Sequence, residues 1–221
     1  MAAHHVQAIG HWFATLRVMK PVSRLSPTLA VQPNTPRRRL LLGAMALPAL
    51  QMLNGCGAQR IADYAGERPL LDLRAFFNGG VEAYGVFTDR SGKVVKRFTV
   101  AMQCGWSGPP GQEQGVLDEQ FLYSDGTRQR RVWRLLRTPG SGGQGRYTGV
   151  ADDVVGQAAG EEQGNAFYWT YTLKLPVDAS VYEVRFDDWM YMMSPSVVIN
   201  KASMSKLGVF LGEVTLTFVK R

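Results

Sequence analysis

From Val81 onward, apolar and polar residues alternate along the chain with a period of two, which is typical of β-strands with one buried face. In the segment "FYWTYTLKLPV", for example, Phe167, Trp169 and Tyr171 fall on one face, while Tyr168 and Thr170 fall on the other. The pattern predicts ten strands: Val81–Thr88, Lys93–Gln103, Gly115–Tyr123, Thr127–Leu136, Gly145–Asp152, Val155–Gly160, Ala166–Leu175, Val181–Met193, Val197–Met204 and Val209–Val219.

Turn signals separate these strands at short intervals, among them Ser91-Gly92, Asp125-Gly126 and Gly164-Asn165. No long amphipathic helix or βαβ pattern competes with this order, so the sequence predicts an all-β fold. We expect an antiparallel up-and-down meander that closes into a β-barrel, because closure removes exposed sheet edges. Arg and Lys on the polar strand faces and short turns at both ends favour a soluble barrel over one that spans a membrane.

The region before the barrel has a different composition. Arg37, Arg38 and Arg39 precede an apolar run of 14 residues, Leu40 to Leu53, which is shorter than the roughly 20 residues that a membrane-spanning helix needs. Basic residues followed by a short apolar run are typical of a secretory signal peptide. We expect this segment, residues 37–55, to be removed from the mature protein.

The apolar run ends in "LNGC", which resembles the lipobox of bacterial lipoproteins, although Asn54 departs from the usual small residues. The resemblance implies that Cys56 is diacylated and becomes the first residue of the mature chain, since two or more acyl chains anchor a protein stably. The alternative is a buried free cysteine at the end of a core helix.

The residues around the signal leave two questions open. "TPRRRLLLGA" resembles the twin-arginine export signature, and an ordinary charged region of a general secretory signal is the other reading. Residues 1–36 are either an unstructured leader or the product of a start codon placed too far upstream. The predicted organisation is therefore this leader, the signal peptide at 37–55, a tether at 56–69 and a β-barrel domain at 70–221.

The net charge of +7 belongs almost entirely to the leader and the signal peptide. Residues 1–55 carry six basic residues and no acidic ones, which leaves 19 basic and 18 acidic residues in the rest. The body therefore gives no electrostatic reason to expect a nucleic-acid partner. It also contains no histidine, which excludes Ser-His-Asp catalysis and histidine metal sites within one chain. Cys104 alternates with apolar neighbours and is expected to be a small buried residue.

Segments of the body, taken with the lipobox, resemble a proteobacterial family of predicted lipoproteins known as domain of unknown function 3833. The resemblance covers about Leu70 to Phe218 and rests on these segments in order: "LDLRAFFNG", "DRSGKVVKRFTV", "LDEQFLYSDG", "GVADDVVGQAAGE", "NAFYWTYTLKLPVD", "VRFDDWMYMM" and "NKASMSKLGVFLGEVTLTF". It implies a lipocalin-like β-barrel on a lipoprotein that faces the periplasm. It implies no reaction, cofactor or catalytic residue.

Large aromatic and methionine side chains of the later strands are candidates to line a ligand cavity, and sequence leaves open whether the barrel is hollow or filled. The predicted lining is Trp133, Phe167, Trp169, Tyr171, Asp187, Trp189, Met190 and Met192. Met190, Met192 and Met193 could also be soft ligands for Cu(I), but methionines that fill an irregular core are the ordinary interpretation.

Paired acids recur along the chain, and adjacent strand residues point to opposite faces, so no pair is by itself a catalytic dyad. Of these acids, Asp153 and Asp187 are predicted to point inward. In the cluster "TRQRRVWRLLR", Arg131 and Arg137 fall on the face opposite to the other arginines.

These observations predict a cell-envelope lipoprotein, anchored through Cys56, that binds or carries a hydrophobic or amphipathic small molecule. An accessory that binds an envelope protein and a carboxylate-dependent enzyme are the alternatives, and a non-enzymatic role is favoured. Gly57 and Ala58 lack the aspartate that often retains lipoproteins at the inner membrane, so the outer membrane is the predicted location.

Overall fold

The computed structural model describes residues 59–140, 142, 144–177 and 180–221. Within these residues ten antiparallel strands form one closed barrel: β1 (Gly79–Asp89), β2 (Val94–Ser107), β3 (Gln114–Tyr123), β4 (Arg128–Pro139), β5 (Gly145–Val150), β6 (Ala158–Gln163), β7 (Ala166–Val177), β8 (Ser180–Ser194), β9 (Val197–Lys206) and β10 (Val209–Lys220). Each strand pairs with its sequence neighbour. β1 and β10 close the barrel from Val81 opposite Lys220 to Asp89 opposite Gly212. The prediction of an antiparallel meander closed into a ten-strand barrel is confirmed.

Side chains alternate between the interior and the outer face as the two-residue period predicts. On β7, Phe167, Trp169, Leu173 and Leu175 are buried inside the barrel. On β4, Trp133 and Leu135 point inward and alternate with exposed arginines on the outside. Burying each large apolar side chain stabilises the fold by about 1.5–3 kcal/mol, so this alternation fixes which face of every strand points inward.

One strand differs from its predicted position. β6 covers 158–163 instead of 155–160, because residues 151–157 form a loop. In this loop the Val155 amide donates to the Thr172 carbonyl (2.8 Å), and Val154 forms an isolated bridge with Leu173. The two β-branched residues favoured a strand locally, but they bond directly to β7 and leave β5 and β6 short.

A short lead-in closes one end of the barrel, which we call the plugged end. It contains the helix α1 (Leu73–Phe76), whose N-cap Asp72 accepts a hydrogen bond from the Ala75 amide (2.9 Å). Inside the barrel end, Phe77 packs edge-on against Phe218, with ring centroids 4.9 Å apart. The Trp106 indole N–H donates to the Phe77 carbonyl at 2.7 Å, which fixes the end of the lead-in. The opposite end, formed by the β1–β2, β3–β4, β5–β6, β7–β8 and β9–β10 turns, is called the mouth.

Part of the predicted tether packs on the outer face of the barrel. A 3₁₀ helix, Ile61–Tyr64, places the Tyr64 ring 5.8 Å from Trp189 and 5.5 Å from Tyr191. Among the described residues, none of the helices is long and apolar enough to cross a bilayer. The predicted signal peptide and the anchor residue Cys56 lie outside the described residues.

Candidate ligand site in the barrel

A cavity of about 90 Å³ lies inside the barrel, in the half nearer the mouth. Strand residues form its wall, and eight of the ten strands contribute. The apolar part of the wall consists of Phe87, Phe98, Val100, Phe121, Tyr123, Trp133, Trp169, Leu173, Leu175, Phe186, Met190, Ala202, Val214, Leu216 and Phe218. This volume is smaller than the ~150 Å³ of an engineered cavity that holds benzene, so only a small group or the end of a narrow chain fits entirely inside.

Polar side chains line one part of this cavity, and we call this set the polar floor: Glu119, Arg131, Tyr171, Asp188 and Asn200. They come from five different strands, β3, β4, β7, β8 and β9, so the barrel closure brings them together. Although they point inward, the Glu119 and Arg131 side chains each keep 12% of their surface exposed. Solvent therefore reaches the polar floor.

Arg131 is already engaged by an acid from the loop between β5 and β6. Its Nε donates to both Asp153 carboxylate oxygens at 3.0 Å, and its Nη2 donates to Oδ2 at 2.6 Å. Glu119, directly opposite on β3, is 3.9 Å away, which is an ion pair without a short hydrogen bond. The arginine is thus largely neutralised by Asp153.

Asp188 is almost fully buried, with 4% of its surface exposed. The Tyr171 hydroxyl donates to its Oδ2 at 2.9 Å, and the Asn200 amide donates to its Oδ1. Burial raises the pKa of Asp188 to about 6, and these hydrogen bonds oppose the rise. The carboxyl group therefore titrates close to neutral pH.

The pKa of Glu119 is also shifted upward. Burial raises its pKa to about 7, the attraction of Arg131 opposes this, and the charges of Asp153 and Asp188 add to it. Near neutral pH this carboxyl group exists in both protonation states, so it both donates and accepts hydrogen bonds.

One hydrogen-bond donor beside the polar floor has no partner. The indole nitrogen of Trp169 is buried without a hydrogen bond, and the residue is 5% exposed. The indole lies near enough to Asp188 to help lower the pKa of that carboxyl group, but the contact lacks hydrogen-bond geometry. Buried polar groups are nearly always paired in folded proteins, so an unpaired donor on a cavity wall is available to a ligand or to a water molecule.

A second cavity of about 30 Å³ lies toward the plugged end. The lead-in residues Leu73 and Phe77 line it, together with Met102, Leu117 and Phe167. This volume is about that of one water molecule in the liquid, and we assign it to imperfect packing beneath the lead-in.

The structure brings together part of the predicted lining. Trp133, Trp169, Tyr171 and Met190 line the main cavity, and Phe167 lines the second one. Met192 points inward and is buried, but it lines neither cavity. The part of the cavity wall near the mouth, which includes Phe87 and Phe121, was not predicted. The same alternation nevertheless places these residues on the inward face.

Two residues of the predicted lining, Asp187 and Trp189, lie on the outer face, which corrects that prediction. The Asp187 carboxylate accepts from Arg185 (2.9 and 3.1 Å) and from the Tyr168 hydroxyl (2.9 Å). Trp189 stacks on the Tyr168 ring, with centroids 4.4 Å apart. The predicted set mixed the two faces of β8: Met190 and Met192 share the inward face with Asp188, which is the inward acid.

The other candidate groups do not converge on a reactive centre. Asp153 bonds to Arg131, whereas Asp187 is on the outside, so these two acids do not form a pair across a substrate. Met193 is 55% exposed at a bulge in β8, away from the buried Met190 and Met192. Burial raises the pKa of the Cys104 thiol to about 12, which agrees with its prediction as a small buried residue. Among the described residues, no group of three or more His, Cys, Asp or Glu is placed to hold a metal ion.

Fold and site together define a class: a closed antiparallel β-barrel with an internal cavity that combines an aromatic wall with a polar floor. The model of the family described as protein of unknown function DUF3833 matches residues 50–220, and the chain belongs to this family. Among solved structures, the chain is similar to a de novo designed fluorescence-activating β-barrel, with 14% identity over 69% of this chain and 100% of that chain and a TM-score of 0.34. No curated protein matches the chain.

Proposed function

We propose that the chain is a lipid-anchored protein of the cell envelope whose barrel binds a small hydrophobic or amphipathic molecule. The observation that carries the binding role is the cavity at the mouth, where an aromatic wall surrounds a solvent-accessible polar floor. Pockets of this kind, apolar with a few convergent polar groups, are typical of small-molecule sites.

The size of the cavity restricts the ligand. Because about 90 Å³ holds only a few non-hydrogen atoms, a longer ligand places one end at the polar floor and extends through the mouth. Phe87, Phe121 and Leu216 line this path and are only partly buried, so they offer apolar surface to the emerging part. Each methylene group that they cover contributes about 0.8 kcal/mol to binding.

Binding can be tested with the full chain and five small probes: toluene, 1-hexanol, hexanamide, hexanoate and hexylammonium. Ligand-observed nuclear magnetic resonance should detect saturable binding of at least one of them. The variant Ala202→Phe, which fills the cavity, should abolish this binding, and Ala101→Phe on the outer face of β2 is its matched control. Thermal unfolding of both variants shows whether they fold, and Leu216→Trp at the mouth provides a second, milder obstruction. Absence of binding for all five probes would refute the proposal.

The proposed anchor is the thioether-linked lipid on Cys56, on the periplasmic side of the outer membrane. It is supported by the lipobox at Leu53 to Cys56 and the preceding signal-like segment. In cells fed labelled palmitate, Cys56→Ser should lose the label and leave the membrane fraction. Cys104→Ala, which removes the buried thiol, should keep the label and stay in the membrane fraction. Label retained on Cys56→Ser would rule out this anchor.

A second candidate function, an accessory that binds an envelope protein, is favoured by apolar residues at the mouth. Leu207 is 95% exposed at the β9–β10 turn, and Val181, Val209 and Phe210 nearby are also exposed. A photo-crosslinking residue at position 207 should capture a partner in cells, whereas one at the exposed Val116 on β3 should not. Equal capture at both positions would argue against this role.

A further inference from the structure

The polar floor determines which head group the cavity accepts, and this inference rests on the proposed binding function. Three features carry it: the charge that remains after internal pairing, the unpartnered donor of Trp169, and the hydrogen-bonding capacity of Glu119 and Asp188. The first two features each disfavour one class of charged head group, and the third selects an uncharged one.

The first feature disfavours an anionic head group. Arg131 is the cation on the cavity wall, and its guanidinium group already donates three hydrogen bonds to Asp153 at 2.6–3.0 Å. Among the described residues Asp188 has no ion pair, and Glu119 shares Arg131 with Asp153 at a distance of 3.9 Å. A carboxylate or phosphate placed there would lose hydration and meet like charges, while the charge of Arg131 is already balanced by Asp153.

The second feature disfavours a cationic head group. An ammonium group would be attracted by the two carboxyl groups, but it has no hydrogen-bond acceptor. The Trp169 indole N–H would then remain buried without a partner, which costs about 1–3 kcal/mol.

The third feature selects a head group that both accepts and donates hydrogen bonds. An alcohol or a primary amide accepts a hydrogen bond from the Trp169 N–H through its oxygen. The same group donates to the Asp188 or Glu119 carboxyl oxygen, so the Trp169 N–H and one of the two acids each gain a hydrogen bond. We infer that the cavity binds an amphiphile with an uncharged alcohol or amide head group, which enters head first and leaves its apolar tail at the mouth.

The four six-carbon probes with head groups, which share one tail and differ only in the head, test this inference on the full chain at pH 8. 1-Hexanol and hexanamide should bind at least tenfold more tightly than hexanoate and hexylammonium. Hexanoate or hexylammonium binding as tightly as 1-hexanol would overturn the head-group inference and leave the proposed binding function standing. Failure of every probe, toluene included, would instead refute the binding function itself.

Two sets of variants assign the selectivity to particular residues. Trp169→Phe should weaken 1-hexanol binding about five- to tenfold and leave toluene binding within twofold. Trp106→Phe is the matched control, because its indole N–H bonds to Phe77 at the plugged end, and it should not change either affinity. The double variant Glu119→Gln/Asp188→Asn should raise hexanoate affinity at least tenfold. Unchanged 1-hexanol binding in Trp169→Phe, or unchanged hexanoate binding in the double variant, would contradict the assigned contacts.

Discussion

Two buried clusters of acids and arginines lie in the barrel, one at the plugged end and one in the cavity, and they differ in how completely their hydrogen bonds are satisfied. At the plugged end, Glu162 accepts from the Gly145 amide (2.6 Å), the Leu73 amide (3.1 Å) and the Tyr147 hydroxyl (3.1 Å). We call Glu113, Arg137, Tyr147 and Glu162 the plug cluster. Its acids hold backbone amides in place, so it fixes the lead-in against the barrel.

The polar floor of the cavity uses the same residue types differently. Glu119 has no short hydrogen bond to Arg131. The Trp169 N–H, which lies near Asp188, has no hydrogen-bond acceptor. Burial also shifts the pKa of Glu119 and Asp188 toward neutral pH. A satisfied buried network stabilises one structure, whereas an unsatisfied one retains capacity for a ligand. Hydrogen-bond satisfaction, rather than burial or charge alone, therefore separates the structural acid Glu162 from Glu119 in the cavity.

The largest expected effect is at the plug cluster. Glu162→Leu removes the acceptor of two backbone amides and one hydroxyl, and each orphaned buried donor costs about 1–3 kcal/mol. We expect the free energy of unfolding to fall by about 2–5 kcal/mol, measured by urea denaturation. At pH 5, where the Glu119 carboxyl group is protonated, Glu119→Gln at the polar floor is the control and should change it by less than about 1 kcal/mol, since no backbone amide depends on it. A similar loss of unfolding free energy in both variants would contradict the distinction between the plug cluster and the polar floor.

The second prediction concerns pH. The pKa values of Glu119, about 7, and Asp188, about 6, lie above those of unfolded acids, so the folded protein binds more protons between about pH 4 and pH 7. Stability from these groups is therefore present at low pH and lost as pH rises through 6 to 7. The free energy of unfolding should be about 2–4 kcal/mol higher at pH 5 than at pH 8.

The double variant Glu119→Gln/Asp188→Asn provides the control for this pH dependence. Its denaturation curves at pH 5 and pH 8 should differ much less, because neither introduced amide titrates. A wild-type protein that is more stable at pH 8 would show that both carboxyl groups are ionised at little cost, which would contradict their upward pKa shifts.

A third, smaller effect is expected from Arg131→Met. The change leaves Asp153 without its partner and removes the attraction that opposes the pKa rise of Glu119. Because the two side chains of the Arg131–Asp153 pair are partly exposed, we expect a loss of about 1–3 kcal/mol, below that for a fully buried pair. The pH midpoint of Glu119, followed by carboxyl nuclear magnetic resonance, should move upward. A midpoint that stays at about 7 would show that Arg131 does not act on Glu119.

The sequence predicts the barrel well, because strand alternation and turn residues are local signals. All ten strands are present, and β6 is displaced because Val154 and Val155 bond across to β7, a contact that no local pattern encodes. The polar floor was harder to predict. Whether Asp187 or Asp188 points inward depends on the register of β8, and only the alternation with the inward Phe186 and Met190 identifies Asp188.

The cavity acids were missed for a related reason. Glu119 lies between the inward residues Leu117 and Phe121, so the alternation along β3 places it on the inward face. A charged residue at an inward position interrupts the apolar pattern, and for this reason it was not recognised as part of the interior. The pairing of Arg131 with Asp153 joins β4 to a loop 22 positions away and depends on the closed barrel. Alternation therefore predicts which residues point inward, while the satisfaction of each polar atom requires the three-dimensional structure.

The smallest effect is expected where the sequence placed an interior acid and the structure places an exterior one. Asp187→Asn weakens a partly exposed pair with Arg185 on the outer face, and such surface pairs contribute about 0–1 kcal/mol. We expect the free energy of unfolding to change by less than about 0.5 kcal/mol and probe binding in the cavity to stay unchanged. The neighbouring Asp188→Asn, measured in parallel, should reduce the pH dependence of stability and increase hexanoate affinity. If Asp187→Asn produced those effects instead, the register of β8 would be shifted by one residue and the assignment of the polar floor would be wrong.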